Sequence, residues 1–306
     1  MSSKLKAHLL VLIGNFFFGA SAVAVKALTP AVMPPLAINV LRVGIALILF
    51  WLLFAIKPSN PSIRKKDVLR FILCAGLGVT INQIMYVKGA SLTSPIHTSL
   101  LSLATPIAIT IIAAWLLKEA ITIYKILGLI LGIGGAATLV LIKNHADKES
   151  NSIGDLLIIT NAVSYAFYLV LARPLMNTYK PIHVTRWVFL FGAIMIVPIG
   201  WGDFMKVDWY AFEFHHWFAL AFLVLGATFL AYMFMVVGIA KLGSSVTGTY
   251  IYTQPVFATI ISMILFGEKL TVIKVVAALL IFSGVFLVNY KKVAVADEKD
   301  GLQKSS

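Results

Sequence analysis

Charge is scarce in this chain: Asp, Glu, Lys and Arg make up 12% of its 306 residues, and only 12 residues are acidic. A soluble domain carries about 25% charged residues. At 60% hydrophobic, with a mean hydropathy of +0.96, the sequence cannot clothe a water-facing surface. Cysteine is nearly absent as well. Cys74 alone excludes an intrachain disulfide and any cysteine-based metal cluster. Catalytic signatures are missing: there is no phosphate-cradling loop of the Walker type, no G-x-S-x-G and no H-E-x-x-H. His215-His216 beside Glu213 reads as an interfacial polar cluster ahead of Trp217, so no metal and no cofactor are expected and the chain is not expected to be an enzyme.

What is present is a series of long apolar runs. A membrane-spanning helix needs about 20 mostly apolar residues. Ten stretches qualify, at 7–28, 36–56, 68–87, 95–117, 125–142, 154–172, 183–200, 216–238, 244–266 and 273–290. The first is too long for a secretory leader and lacks a small-residue cleavage site, so an uncleaved helix is expected. The net charge of +13 does not imply nucleic acid, because the basic residues sort by side. With the N-terminus in the cytoplasm, 17 Lys and Arg fall on the inside and 7 on the outside. Both termini are therefore expected in the cytoplasm, with the chain in the cytoplasmic membrane and the lipid bilayer as its surroundings.

The chain also repeats itself. LLSLATPIAITIIAAWLLKEAIT at 100–122 and TYIYTQPVFATIISMILFGEKLT at 249–271 align at one ungapped shift of 149 positions, laying Pro106 on Pro255, Thr110 on Thr259, Glu119 on Glu268 and Thr122 on Thr271. The same shift lays Gly89 on Gly238 and Thr98 on Thr247. A constant offset argues for internal duplication. Five spans per copy is an odd number, so the second copy must enter the membrane upside down. The expected fold class is an all-α integral membrane protein of ten transmembrane helices in two inverted five-helix repeats: 1–142, a connecting loop at 143–153, 154–290, and a cytoplasmic tail at 291–306.

Polar residues are unevenly shared among the spans. Spans 5, 7 and 10 are almost purely aliphatic or aromatic, whereas spans 1, 3, 4, 6, 8 and 9 carry amides, hydroxyls and tyrosines. In span 6, Asn161, Ser164, Tyr165 and Tyr168 share one helical face. Polar groups in hydrocarbon need partners or a watery cavity. The six polar spans are thus expected to surround an interior space, and the ordinary alternative for any one residue is interhelical bonding. The candidate substrate-binding set is Asn15, Asn82, Tyr86, His97, Asn161, Tyr165, Tyr168, Tyr232, Tyr250 and Gln254. His97 could couple protons or be a bonded core residue. Arg42, with no carboxylate in any span core to neutralise it, could snorkel, bond a neighbouring helix or meet a substrate carboxylate. Pro106 and Pro255 are expected to kink their helices as hinges, and Glu119 and Glu268 to serve at helix ends or gates. Gly128, Gly132 and Ala136 form a small-residue stripe that permits either packing within the chain or a homodimer.

With these features assembled, the chain resembles the drug/metabolite transporter superfamily, in particular its EamA-type members. The resemblance rests on the span count, the two five-helix repeats, a proline followed thirteen residues later by glutamate in each fourth helix, span 1 as LIGNFFFGASAVAVKAL and the arginine in NVLRVGIALILF, and it covers residues 7–290. It implies an alternating-access secondary carrier, usually an exporter, with its site between the halves. A cavity rich in amides, hydroxyls and tyrosines but poor in fixed charge suits small neutral or zwitterionic metabolites, with amino acids favoured. The alternatives are a multidrug or nucleotide-sugar exporter and, from another class, a membrane enzyme or sensor. Beyond the substrate, a coupled ion or proton is the remaining small partner expected.

Overall fold

The structure is a computed structural model, and it describes residues 3–56, 62–117, 123–141, 151–242, 250–284 and 286–287. Among these residues the regular structure is entirely helical. Six helices are long and apolar enough to cross a membrane: α1 (Ser3–Leu28), α2 (Pro35–Ile56), α3 (Lys65–Leu92), α6 (Ser152–Thr178), α7 (Pro181–Phe204) and α8 (Phe214 to Leu242). Shorter apolar helices stand between and after them: α4 in two pieces, α4a (Pro95–Ser102) and α4b (Ala104–Leu117), then α5 (Ile123–Leu141), α9 (Gln254–Phe266) and α10 (Val272–Gly284). Their beginnings follow local chemistry. Asn151 caps α6 by accepting the Ile153 N–H at 2.9 Å, and proline opens α2, α4a and α7, where its missing N–H costs nothing.

The shift of 149 positions that aligns the two sequence copies also aligns their irregularities. α3 contains a π-helical stretch at Gly76–Ile81, and α8 contains one at Phe222–Leu230 that covers the equivalent positions. The fourth span of each copy carries an irregularity at the same place: Leu103 separates α4a from α4b, and the 3₁₀ turn Tyr250–Thr253 directly precedes α9. Packing partners exchange in the same way. α1 lies along the C-terminal part of α8, and its counterpart α6 lies along the C-terminal part of α3. α1 also packs on α9 as α6 packs on α4b, while α2 and α7, equivalent to each other, pack together.

Two buried clusters hold the assembly. One joins α1, α2, α4 and the start of α8 around Leu28, Met33, Ile38, Leu101 and Leu223, and the other joins α2, α3, α6 and α7 around Phe50, Phe71, Val184 and Phe189. Outward faces are apolar too, with Ile130, Ile194, Val272 and Leu279 exposed, a surface suited to hydrocarbon. α7 departs from the expectation of a purely peripheral helix, because its inner face is core against α2. The small-residue stripe on α5 is used inside the chain: a side chain at Gly284 of α10 would meet the Gly128 carbonyl at 2.6 Å and the Gly132 nitrogen at 2.6 Å.

Pro106 and Pro255 do not stand mid-helix. Each lies in the first turn of the piece that follows the interruption, Pro106 in α4b and Pro255 in α9, where proline fits without breaking a backbone bond. Glu119 lies outside the described residues. Glu268 follows Gly267, whose φ of 63° ends α9 in a left-handed turn. The Glu268 carboxylate accepts from the Ser262 hydroxyl and from Lys274 Nζ at 2.9 Å, tying α9 to α10. Lys274 is wholly buried, and Lys125 holds the equivalent place in the first copy.

Candidate functional site

Where the two copies meet, α1, α2, α3, α4, α6, α8 and the Tyr250–Gln254 segment enclose a cavity of about 130 Å³, counted as space open to the centre of a water molecule. A single water needs about 10–15 Å³ in that measure, so the space suits a small metabolite. Among the described residues, none that lines it comes from α5, α7 or α10. Four pairs of lining residues are repeat equivalents: Gln83 and Tyr232, Tyr86 and Met235, Ser102 and Ile251, Thr105 and Gln254. The cavity therefore straddles the relation between the copies rather than lying within one of them.

Six of the sequence-derived candidates reach its wall: Asn82, Tyr86, Asn161, Tyr165, Tyr232 and Gln254. Some of their polar groups are already engaged. Asn161 Nδ2 donates to the Asn82 carbonyl at 2.8 Å, and Asn82 Nδ2 to the Asn161 carbonyl at 3.4 Å, a reciprocal pair that binds α3 to α6. Gln254 Nε2 donates to Asn15 Oδ1 at 2.8 Å. The Ser21 hydroxyl donates to the Phe18 carbonyl, which leaves the Tyr86 phenol as donor to Ser21 at 2.5 Å.

The remaining four candidates sit off the wall. Asn15 is fully buried behind Gln254, its own Nδ2 donating to the Val11 carbonyl at 2.9 Å. Tyr168 lies flat against Gly78 with its ring 5.6 Å from that of Tyr165, supporting the wall from behind. Tyr250 bonds His8 Nδ1 at 2.8 Å near the start of α1. His97 turns away from the cavity: its Nδ1 lies 3.3 Å from Asp155 Oδ2.

Asp155 is a buried carboxylate whose place in the core could not be read from its sequence neighbours. It sits in the first turn of α6, 1% exposed, accepting the Thr93 hydroxyl at 2.5 Å. A negative charge there is favoured by the helix dipole. Its position at the edge of the polar seam hid it among loop residues. The cluster bridges the two copies.

Sequence reasoning left Arg42 open among three roles, and the structure places it on the cavity wall. Arg42 is 3% exposed, its Nε donates to Thr228 Oγ1 at 2.9 Å, and its Cζ lies 5.9 Å from the centre of the Tyr86 ring. Thr228 belongs to the π-helical stretch of α8 and donates in turn to the Leu223 carbonyl five residues back. No Asp or Glu is among the described lining residues. Gln83, Thr98, Ser99 and Ser102 complete the polar wall, and the polarity of α3 and α4 was the signal for them.

Set beside known proteins, both copies match the EamA-like transporter family, over residues 5–141 and 152–290. The chain belongs to the EamA-like transporter family. It is similar to the uncharacterized transporter YetK of Bacillus subtilis (strain 168), 26% identical over 275 residues that cover 89% of this chain and 83% of YetK. It is also similar to the protein WALLS ARE THIN 1 of Arabidopsis thaliana, 26% identical over 345 residues covering 99% and 88% of the two chains. One solved crystal structure shares the fold with a TM-score of 0.66, at 17% identity, over 95% of this chain and 98% of the other. As a family member the chain is a multi-pass membrane transporter.

Proposed function

We propose that the chain is a secondary carrier whose two halves are inverted five-helix repeats and rock about the shared cavity, exposing it to one side of the cytoplasmic membrane and then the other. The observation that carries this reading is the wall itself, built from repeat-equivalent residues of both halves, as a site near the axis relating inverted repeats should be. The break at Leu103 and the 3₁₀ turn Tyr250–Thr253, each followed by a proline, supply candidate hinges in both halves. The substrate is a small neutral or zwitterionic metabolite, with amino acids favoured, and net export is driven by its own gradient or a coupled ion. Hydrophobic cations are a poor match for a wall that holds Arg42 and no carboxylate.

The test is counterflow into proteoliposomes preloaded with unlabelled pools of amino acids, nucleosides or sugars. One pool should drive entry of its labelled members. Tyr165→Ala and Gln254→Ala should each cut that exchange by about ten-fold, the loss expected for a polar contact worth about 1.4 kcal/mol. Unaltered kinetics in both variants would contradict this site.

A further inference from the structure

Resting on that reading, we infer that the cavity holds the carboxylate of its substrate at a subsite made by Arg42 and the N-terminal ends of α4b and α9. Three independent features converge there. Arg42 Nη1 meets no protein acceptor among the described residues although Arg42 is 97% buried. A buried charge is costly unless it is paired, so an anion on the wall lowers the energy of the protein that binds it. The second feature is that α4b and α9 both begin at the cavity: Thr105 in the first turn of α4b and Gln254 at the start of α9 line it, as repeat equivalents. Helix N-termini carry unsatisfied N–H groups and the positive end of the dipole, which favour an anionic group. The third feature is symmetry breaking. Repeat equivalence would put a partner for Arg42 at position 191, and Phe191 stands there, so among the described lining residues Arg42 is the one cation.

A single guanidinium selects a monoanion, since a phosphate monoester would bring a charge of about −1.5 to −2. Beyond the anion, Gln83 Oε1 and Thr98 Oγ1 are buried on the same wall without protein partners. Gln83 Oε1 can only accept, and it suits an ammonium or hydroxyl donor on the substrate. The wall is thus complementary to a small molecule that carries a carboxylate at one end and a hydrogen-bond donor at the other. Arg42 sets that orientation.

The experiment is competition in proteoliposomes exchanging a labelled amino-acid pool, with unlabelled amino acids matched against their own primary amides, which keep the ammonium and lose the carboxylate. In the wild-type protein the acids should compete at least about ten-fold better than the amides, the size expected for a hydrogen bond to a charged group. Arg42→Gln should erase that preference, and Arg42→Lys should keep part of it. Equal competition by acids and amides in the wild type, or a preference that survives Arg42→Gln, overturns the subsite. The wild-type comparison stands even if Arg42→Gln fails to insert. Exchange of nucleosides, sugars or hydrophobic cations in place of amino acids also overturns the subsite while leaving the carrier intact. No exchange of any pool by monodisperse, inserted protein overturns the carrier reading itself.

Discussion

Lys274 is a fully buried cation in an apolar helix, and the Glu268 carboxylate 2.9 Å away is what makes its burial tolerable. Removing one member of a buried ion pair costs up to about 3–5 kcal/mol. Glu268→Gln should therefore lower the melting temperature in detergent markedly, and Glu268→Gln combined with Lys274→Met should recover most of the loss. Equal destabilisation by the single and double variants would show that the pair is not what holds α9 to α10. The same reasoning applies to Asp155, which receives Thr93 and His97: Asp155→Ala should destabilise the protein more than Tyr250→Phe, which removes only the phenol facing His8. At this scale the sequence was a partial guide. The Pro and Glu spacing drew attention to Glu268, but its partner is Lys274 rather than the adjacent Lys269, because the left-handed Gly267 turns the carboxylate back toward α10. His97 was legible as a polar residue in an apolar span, while the carboxylate it faces lay at the edge of the seam between the copies.

Among the elements, the π-helical stretches of α3 and α8 do the positioning. Each adds a residue to its turn, which re-aims the side chains that follow, Asn82, Gln83 and Tyr86 in α3 and Tyr232 in α8, while Thr228 stands within the stretch itself. Each is also pressed by an aromatic ring from the other half. A side chain on Gly78 would lie 2.5 Å from the Tyr168 ring, and one on Gly226 would lie 2.7 Å from Phe17. Gly78→Ala should therefore destabilise by about 1–3 kcal/mol, the usual cost of overpacking. Adding Tyr168→Leu should restore much of the melting temperature, and no recovery in the double variant would count against this contact. None of this was visible in composition or periodicity, since a π turn leaves a long apolar run looking continuous. The prolines illustrate the same limit. Their presence was plain, but whether each kinks a helix or opens one depends on the interruption before it, at Leu103 and at Tyr250–Thr253.

For the whole molecule, the apolar runs, the duplication and the polar set of spans were readable because a bilayer imposes length and polarity limits on every segment. The cavity is where the polar faces of spans 1, 3, 4, 6, 8 and 9 pointed, and α2 joins it through Arg42 alone. What periodicity could not sort was which polar groups face the space and which bind helix to helix, as Asn161 and Asn82 do. The proposed inverted topology carries its own prediction. In a Cys74→Ala background, Tyr210→Cys, on a fully exposed turn, should react with an impermeant maleimide applied outside intact cells, and Ser62→Cys only after permeabilisation. The opposite pattern would reverse the charge-based orientation.

The most direct measurement is the sidedness of Ser102→Cys in the same background, because Ser102 and its equivalent Ile251 both stand on the cavity wall. An impermeant thiol reagent should reach it from either face of the membrane but not from both in one conformation, and an exchanged substrate should protect it. Simultaneous access from both faces, or transport that continues while the labelled cavity is blocked, would contradict a carrier working through this site.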